Sequence, residues 1–446
     1  MTTPLKLTNF KKIHFIGIGG IGISAIARML MLRGARVSGS DQSEGEVVTA
    51  LRELGADITL GHSKENIPQD VDLVVYTIAI PDTSPELVEA RSRDIPVVSY
   101  PETLSALSGE YFTIAISGTH GKTTTTGMIA HVLLQLGKDP TVIIGSLIKN
   151  SDGSKTNFIS GKSRLLVVEA CEYRRSFLNI TPDIAVITNI EEDHLDYYAD
   201  IVDIKKAFKE FVGLIKPNGT LVLDLSQSGM KELVEEFEKE RSDIKIVDYG
   251  EYYQKHSLRL KVPGIHNQHN AGASLATCAE VGLDENNIKR ALETFVGTWR
   301  RFEYRGETKR GVIVYDDYAH HPREIQATLE GARSIYPDKR LVVVFQPHLF
   351  SRTKQLFDDF SRAFDRADKL ILVPIYPARE KPDPSIDHYK LAEAVKKESP
   401  KLEVEAVDSL EKAVDATASE TKGAVLIVMG AGDVYEVSDL LLEQTI

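Results

Sequence analysis

Gly118-Thr119-His120-Gly121-Lys122-Thr123-Thr124 follows the apolar run Phe112-Thr113-Ile114-Ala115-Ile116 and leads into a helix-like segment that starts near Thr124. A strand, a glycine-rich turn and a helix in that order form the layout of a phosphate-binding loop. Glycines let backbone N–H groups close around anionic oxygens, and the helix N-terminus adds its dipole. Lys122 supplies a positive point charge, and the Thr123 hydroxyl is placed for Mg²⁺. Gly118, Thr119, His120, Gly121, Lys122, Thr123 and Thr124 are therefore expected to hold a nucleoside triphosphate. The spacing departs from G-x-x-x-x-G-K-[ST] because Ile116 stands where the first glycine would, so the loop reads as a shorter one.

The chain around this loop has 446 residues, more than one hydrophobic core usually supports, and its 42% hydrophobic content is ordinary for a globular protein. An α/β architecture of three domains is expected, with boundaries at residues 1–107, 108–300 and 301–446. No apolar run approaches membrane-spanning length, and the opening Met1-Thr2-Thr3-Pro4-Leu5-Lys6 lacks the basic-then-apolar order of a secretory signal. A cytoplasmic location without membrane insertion is the expectation. Cys171 and Cys278 are too few for a disulfide framework and lack metal-site spacing, so reduced thiols are expected. The formal net charge of -12 argues against nonspecific binding to nucleic acid, and any anionic substrate must be met by local basic groups.

The first domain opens with the short strand Lys12-Ile13-His14-Phe15-Ile16, then Gly17-Ile18-Gly19-Gly20-Ile21-Gly22 and a helix over residues 24–33. Gly17, Gly19 and Gly22 satisfy G-x-G-x-x-G, and Arg36-Val37-Ser38-Gly39-Ser40-Asp41 reads as a second strand ending in an acid about twenty residues on. Strands at 71–77 and 96–98 and a helix at 84–93 extend this into a parallel, Rossmann-like sheet. Physically, the pattern selects a pyrophosphate at a helix N-terminus with an acid near a ribose. A UDP-sugar suits it as well as NAD does.

In the second domain, apolar strands at 164–169 and 183–190 end near acids. Acids at strand C-termini beside a phosphate loop are where Mg²⁺ ligands occur, which makes Glu169 and His194 metal candidates together with Thr123. The third domain repeats the logic after Trp299-Arg300-Arg301-Phe302. Strands at 312–315, 341–345, 370–374 and 425–429 and a helix at 323–335 predict a second open parallel sheet, with polar or glycine-rich turns at its strand ends.

Taken in order, these motifs resemble the Mur ligases over nearly the whole chain. The likeness is carried by residues 17–22 with Ser38-Gly39-Ser40-Asp41, residues 118–124, Glu169-Ala170-Cys171-Glu172, Asn189 with Asp193-His194, and His266-Asn267-Gln268-His269-Asn270. It continues through Arg300-Arg301-Phe302, Asp317-Tyr318-Ala319-His320-His321-Pro322, Phe345-Gln346-Pro347-His348 and Gly430-Ala431-Gly432. The resemblance implies a UDP-sugar-binding first domain, a central ATP-binding domain and a third domain that brings the amino acid and closes over the nucleotide. It implies ATP-driven amide formation through an acyl phosphate: the lactyl carboxylate of UDP-N-acetylmuramate is phosphorylated, and the amine of L-alanine then attacks.

By the same resemblance Lys122 neutralises the β- and γ-phosphates, Thr123 and Glu169 hold Mg²⁺, and His194 holds a second Mg²⁺. Asn267, Asn270 and Asp317 serve the nucleotide, and Arg301 contacts phosphate. Gly17, Gly19, Gly20, Gly22, Ser40, Asp41 and His62 serve the sugar nucleotide, His320 or His321 accepts the amine proton, and His348 with Arg352 meets the alanine carboxylate. Two departures stand out. The family usually reads Glu-Ala-Asp-Glu where Cys171 stands here, and Leu349 replaces the usual basic residue after His348, which leaves glycine and serine open as acceptors beside alanine. A tripeptide-recycling ligase with the same sugar nucleotide, or an NAD-dependent oxidoreductase built on residues 17–41, are the competing readings, and a monomer or homodimer is expected.

Overall fold

The computed structural model describes residues 6–149, 155–194, 197–255, 258–262, 264–378 and 380–443. Among them three sheets form. The first is all parallel in the order β3-β2-β1-β4-β5, built from β1 (Lys12–Ile16), β2 (Arg36–Asp41), β3 (Asp57–Leu60), β4 (Leu73–Tyr76) and β5 (Val97–Ser99). Near-continuous apolar runs such as Ile13, Phe15 and Ile16 are buried because helices cover both faces of a parallel sheet. The helix after the glycine motif begins at Ile21, three residues before the expected start, because Gly20 takes an extended N-cap conformation and lets the turn close inside the motif.

The second sheet runs β12-β11-β10-β6-β9-β7-β8. Its strands are β6 (Phe112–Ser117), β7 (Thr141–Lys149), β8 (Lys155–Ile159), β9 (Leu165–Glu169), β10 (Ile184–Ile187), β11 (Thr220–Leu223) and β12 (Lys245–Asp248). All neighbours pair parallel except β7 and β8. The phosphate-loop strand β6 lies between β9 and β10, so the acids expected at 169 and beyond 190 end on either side of it.

The third sheet, β13-β14-β18-β15-β16-β17, contains β13 (Glu303–Glu307), β14 (Ile313–Asp317), β15 (Arg340–Phe345), β16 (Lys369–Leu372), β17 (Glu403–Ala406) and β18 (Ala424–Met429). It is mixed, not wholly parallel: β13 pairs antiparallel with β14 through a register shift near Gly306. Compact units divide at residues 1–258 with 269–293 and at residues 259–268 with 294–446. The first two sheets therefore belong to one unit and the third sheet to the other. No helix among the described residues is long and apolar enough to cross a membrane.

Candidate functional site

The phosphate loop leaves β6 and enters the helix Lys122–Gln135 through two left-handed glycines, Gly118 at φ 136° and Gly121 at φ 81°. A methyl group on Gly118 would fall 2.0 Å from Thr188 Oγ1, and one on Gly121 would fall 2.4 Å from Asn270 Oδ1. Both positions therefore require glycine for conformation and for space. Asn189, just past β10, clamps the loop: its carbonyl accepts from Thr119 N at 3.0 Å, its Oδ1 accepts from His120 N at 2.8 Å, and its Nδ2 donates to His120 O at 3.0 Å. Gly121 is the helix N-cap and provides no side-chain cap, so no capping side chain competes with an incoming anion for the first-turn N–H donors.

Lys122 folds back over this loop. Its Nζ donates to Gly118 O, to Thr119 O at 2.9 Å and to Glu172, whose two oxygens lie 2.9 and 3.0 Å away. Burial disfavours the ammonium charge, but Glu172 together with Cys171 and Glu169 outweighs it and holds Lys122 above the ordinary lysine value. One helical residue on, Thr123 Oγ1 donates to Glu169 Oε1 at 3.0 Å, while Glu169 Oε2 accepts from Gly145 N at 2.8 Å. Among the described residues no group of three or more His, Cys, Asp and Glu side chains is arranged to hold a metal ion. The Thr123 hydroxyl with the Glu169 carboxylate still fits Mg²⁺, which keeps several waters and takes one or two protein oxygens plus phosphate. His194, at φ 53°, sits with Nε2 3.6 Å from Glu172 Oε1 and 3.8 Å from Asp193 Oδ2, so it joins the Lys122–Glu172 pair. Cys171, between the two glutamates, is exposed.

In the first sheet the glycine loop is tied to the end of β2. Gly17 N and Ile18 N donate to Ser40 O at 2.8 and 3.0 Å, and Gly19 N donates to Asp41 Oδ2 at 2.8 Å. Asp41 thereby occupies a backbone donor of the loop that an anion would otherwise use. The Ser40 hydroxyl turns the other way, toward the fully buried Glu86, donating to Oε2 at 2.9 Å. His62 Nδ1 lies 2.7 Å from the same oxygen, and Asn66 Nδ2 donates to Oε1 at 3.0 Å. Burial alone would raise the Glu86 carboxyl, but hydrogen bonds from His14, Ser40 and Asn66 hold it below the ordinary glutamate value. Ser40 and His62 are thus side chains of one cluster around the buried Glu86 carboxylate.

The second unit brings together most of the third-domain candidates. Asp317, at the end of β14, is 7% exposed and accepts from Phe302 N and Ala319 N, both at 2.7 Å, so it orders the Arg300-Arg301-Phe302 turn. Burial pushes its pKa up to about 6 against the opposing pull of Arg301. Arg300 is 2% exposed, donates to Gly432 O at 3.0 Å and to Gly430 O, and lies 4.8 Å from the Tyr435 ring centre. It therefore fixes the Gly430-Ala431-Gly432 turn, while Arg301 stands 5.0 Å over Tyr318. Asn267 and Asn270 lie one turn apart on the helix Ile265–Glu280, and only Asn270 belongs to the unit that holds the phosphate loop.

The two adjacent histidines differ chemically. His320 Nδ1 lies 2.9 Å from Tyr318 O, an acceptor only, so Nδ1 carries a proton and Nε2 is the basic nitrogen of the neutral ring. His321 is the N-cap of the helix Pro322–Ile335, and its Nδ1 accepts from Arg323 N at 3.3 Å. The neutral His321 ring then bears its proton on Nε2 and has no lone pair left to take another. His348 packs 5.9 Å from His320, stacks on Tyr376 and lies 3.3 Å from Arg352 Nη1, so His320, His348 and Arg352 form one cluster. Leu349 follows at φ 71°, a conformation costly for a bulky residue.

The sequence motifs contain Glu172, Asn189 and Arg300, yet nothing in their spacing marks them as the lysine's partner, the loop clamp and the buried anchor. Glu86 carries no motif at all. Its one signal is its position at the start of the short helix Pro85–Ser92, facing a strand that carries His14.

Sheets and loop together define a three-sheet α/β chain with a glycine-rich phosphate-loop turn in its second sheet. Comparison with known families places it further. The Mur ligase family catalytic domain matches residues 12–112, the Mur ligase middle domain residues 116–261, and the Mur ligase glutamate ligase domain residues 300–432. The chain belongs to the Mur ligase family. A UDP-N-acetylmuramate--L-alanine ligase of Clostridium acetobutylicum is 42% identical, with all of both chains covered, and one of Clostridium tetani is 40% identical, covering 98% of this chain and 99% of that one. The crystal structure of the UDP-N-acetylmuramate-alanine ligase of Thermotoga maritima aligns with TM-score 0.80 at 30% identity, covering 97% of this chain and 98% of that one. A murein peptide ligase of Psychrobacter arcticus shares the fold at TM-score 0.67 and 22% identity, over 97% of this chain and 98% of that one.

Proposed function

We propose that this ligase joins L-alanine to the lactyl carboxylate of UDP-N-acetylmuramate, using ATP and releasing ADP and phosphate, in the synthesis of peptidoglycan precursors. The observation that carries the reading is the charged Lys122, held by Glu172 at the mouth of a glycine loop with the Thr123–Glu169 oxygen pair beside it. The names of the full-length relatives supply the substrates.

A carboxylate is a poor electrophile because its leaving group is oxide, so phosphorylation turns the departing oxygen into phosphate. Two anions must meet in that step. Lys122 offsets their repulsion and holds the γ-phosphoryl in line, and Arg301 is assigned a phosphate contact. Thr123 and Glu169 would hold Mg²⁺, and His194 a second ion, which would supply further charge neutralisation. Asn267 and Asn270 position the nucleotide, and Asp317 serves it by ordering the Arg301 turn. Gly17, Gly19, Gly20 and Gly22 cradle the diphosphate of the sugar nucleotide. Asp41 and the Ser40–His62–Glu86 cluster shape its uridine end.

His320 Nε2 accepts the amine proton, while His348 and Arg352 take the alanine carboxylate. Phosphate release measured with ATP, UDP-N-acetylmuramate and each of L-alanine, glycine and L-serine tests the assignment. L-Alanine is expected to give the highest kcat/KM, and no amino-acid-dependent release with any of them would remove the ligase assignment.

The raised Asp317 pKa gives a pH prediction. The folded chain keeps this proton up to about 6, whereas an ordinary aspartate loses it near 3.8, so the folded state binds more protons between those values. Stability from this group is therefore fully present below pH 3.8 and is lost as the pH rises through about 6, by about 3 kcal/mol. Denaturant unfolding at intervals across this window should show that loss in the wild type and a flatter profile in Asp317→Asn. Parallel profiles would place the proton elsewhere.

A further inference from the structure

Tyr100 opens the helix Tyr100–Glu110, which links the first sheet to the second. Its ring lies against the third glycine of the first-domain loop: a methyl group on Gly22 would stand 2.6 Å from Tyr100 Cζ and 2.7 Å from its oxygen. Glycine at 22 thus makes room for this phenol at the start of the helix Ile21–Leu32. The residue is half-buried, and its hydroxyl has no hydrogen-bond partner among the described residues. Hydrogen bonds tie elements of the two sheets' layers together beside this loop. Asn157 Nδ2 of β8 donates to Ile21 O and to Ser24 Oγ at 2.8 Å, and Arg174, just beyond Glu172, donates to Ile78 O at 3.2 Å past the end of β4. Burial, then Cys171 and Glu169 nearby, pushes the phenol pKa upward, so the group remains a donor at any working pH.

The geometry points to Tyr100 as a substrate-contacting residue: its hydroxyl donates to the diphosphate of the sugar nucleotide on the side that faces the Glu169 strand end. The inference rests on the sugar-nucleotide reading above and adds a specific donor to it. A neutral phenol beside a helix N-terminus suits a phosphate oxygen, because it adds a hydrogen bond without adding charge. A ligand anchored at Gly17 to Gly22 and extending toward Lys122 passes this hydroxyl.

Tyr100→Phe keeps the ring against Gly22 and removes only the donor. Calorimetric titration of the full chain without ATP should show UDP-N-acetylmuramate and UDP binding about tenfold more weakly to the variant. UMP, which lacks the second phosphate, should bind both proteins equally, and the KM for ATP should not change. UDP affinity within twofold of wild type, or equal losses for UDP and UMP, would overturn the Tyr100 contact alone. Wild-type protein that binds ATP but neither UDP nor UDP-N-acetylmuramate would overturn the sugar-nucleotide reading, and this inference with it.

Discussion

Lys122→Ala is expected to abolish turnover while leaving UDP-N-acetylmuramate bound with nearly unchanged affinity. The ammonium lies over the phosphate loop within 2.9 Å of Thr119 O, and the sugar nucleotide is assigned to the glycine loop of the other sheet. Charge that meets a transferring phosphoryl group acts in the transition state, and its loss is expected to cost on the order of 4 kcal/mol, about a thousandfold in kcat. The substitution has a second effect that must be separated. Glu172 is 2% exposed and would be left as a buried carboxylate without its partner, which destabilises a fold by about 3 kcal/mol. Lys122→Met with Glu172→Gln removes both charges and should recover most of the unfolding free energy without recovering turnover. Recovered activity in that double variant, or near-normal ligation by Lys122→Ala, would take the lysine out of the chemistry.

The second large effect is expected at His320. With Nδ1 committed to Tyr318 O, the neutral ring presents Nε2 as its base, and removal of a positioned general base costs roughly 10²- to 10⁴-fold in rate. His320→Ala should therefore lower kcat with little change in melting temperature, and the remaining activity should rise steeply with pH as free alanine loses its proton. His321→Ala should behave in the opposite way. It removes a helix cap, costing about 1 kcal/mol of stability, and leaves most of kcat in place. Stopped-flow product formation and thermal unfolding of both variants decide between the two histidines. The assignment fails if His321→Ala suffers the larger loss of kcat.

These two histidines show where sequence reading stops. Their motif places both beside a strand end, but the proton on each ring follows from a backbone partner two residues away, Tyr318 O for one and Arg323 N for the other. Glycine loops were legible because strand, turn and helix leave a local pattern, and central strands such as β1, β6, β9, β15 and β18 were legible because burial on both faces gives continuous apolar runs, whereas the interior strands β7 and β11 were not read. The edge strands β13 and β17 leave neither signal. Glu303–Glu307 alternates polar residues around a bulge at Gly306, and Glu403–Ala406 exposes its glutamates, so neither carries an apolar run to read. The antiparallel edge that makes the third sheet mixed went unread for that reason. Glu172 and Glu86 are a different case. Each acts through partners far away in sequence, Lys122 for the first and His14, Ser40 and His62 for the second, and single-sequence spacing does not encode such pairings.

Phosphorylation of the carboxylate before amine attack is the central claim, and oxygen transfer tests it most directly. UDP-N-acetylmuramate labelled with ¹⁸O in the lactyl carboxylate is incubated with ATP, Mg²⁺ and L-alanine, and the inorganic phosphate is read by mass spectrometry. One carboxylate oxygen leaves with the phosphoryl group if the intermediate is an acyl phosphate, so singly labelled phosphate is expected in step with amide formation. Amide formed together with unlabelled phosphate, or with AMP and pyrophosphate, would contradict it.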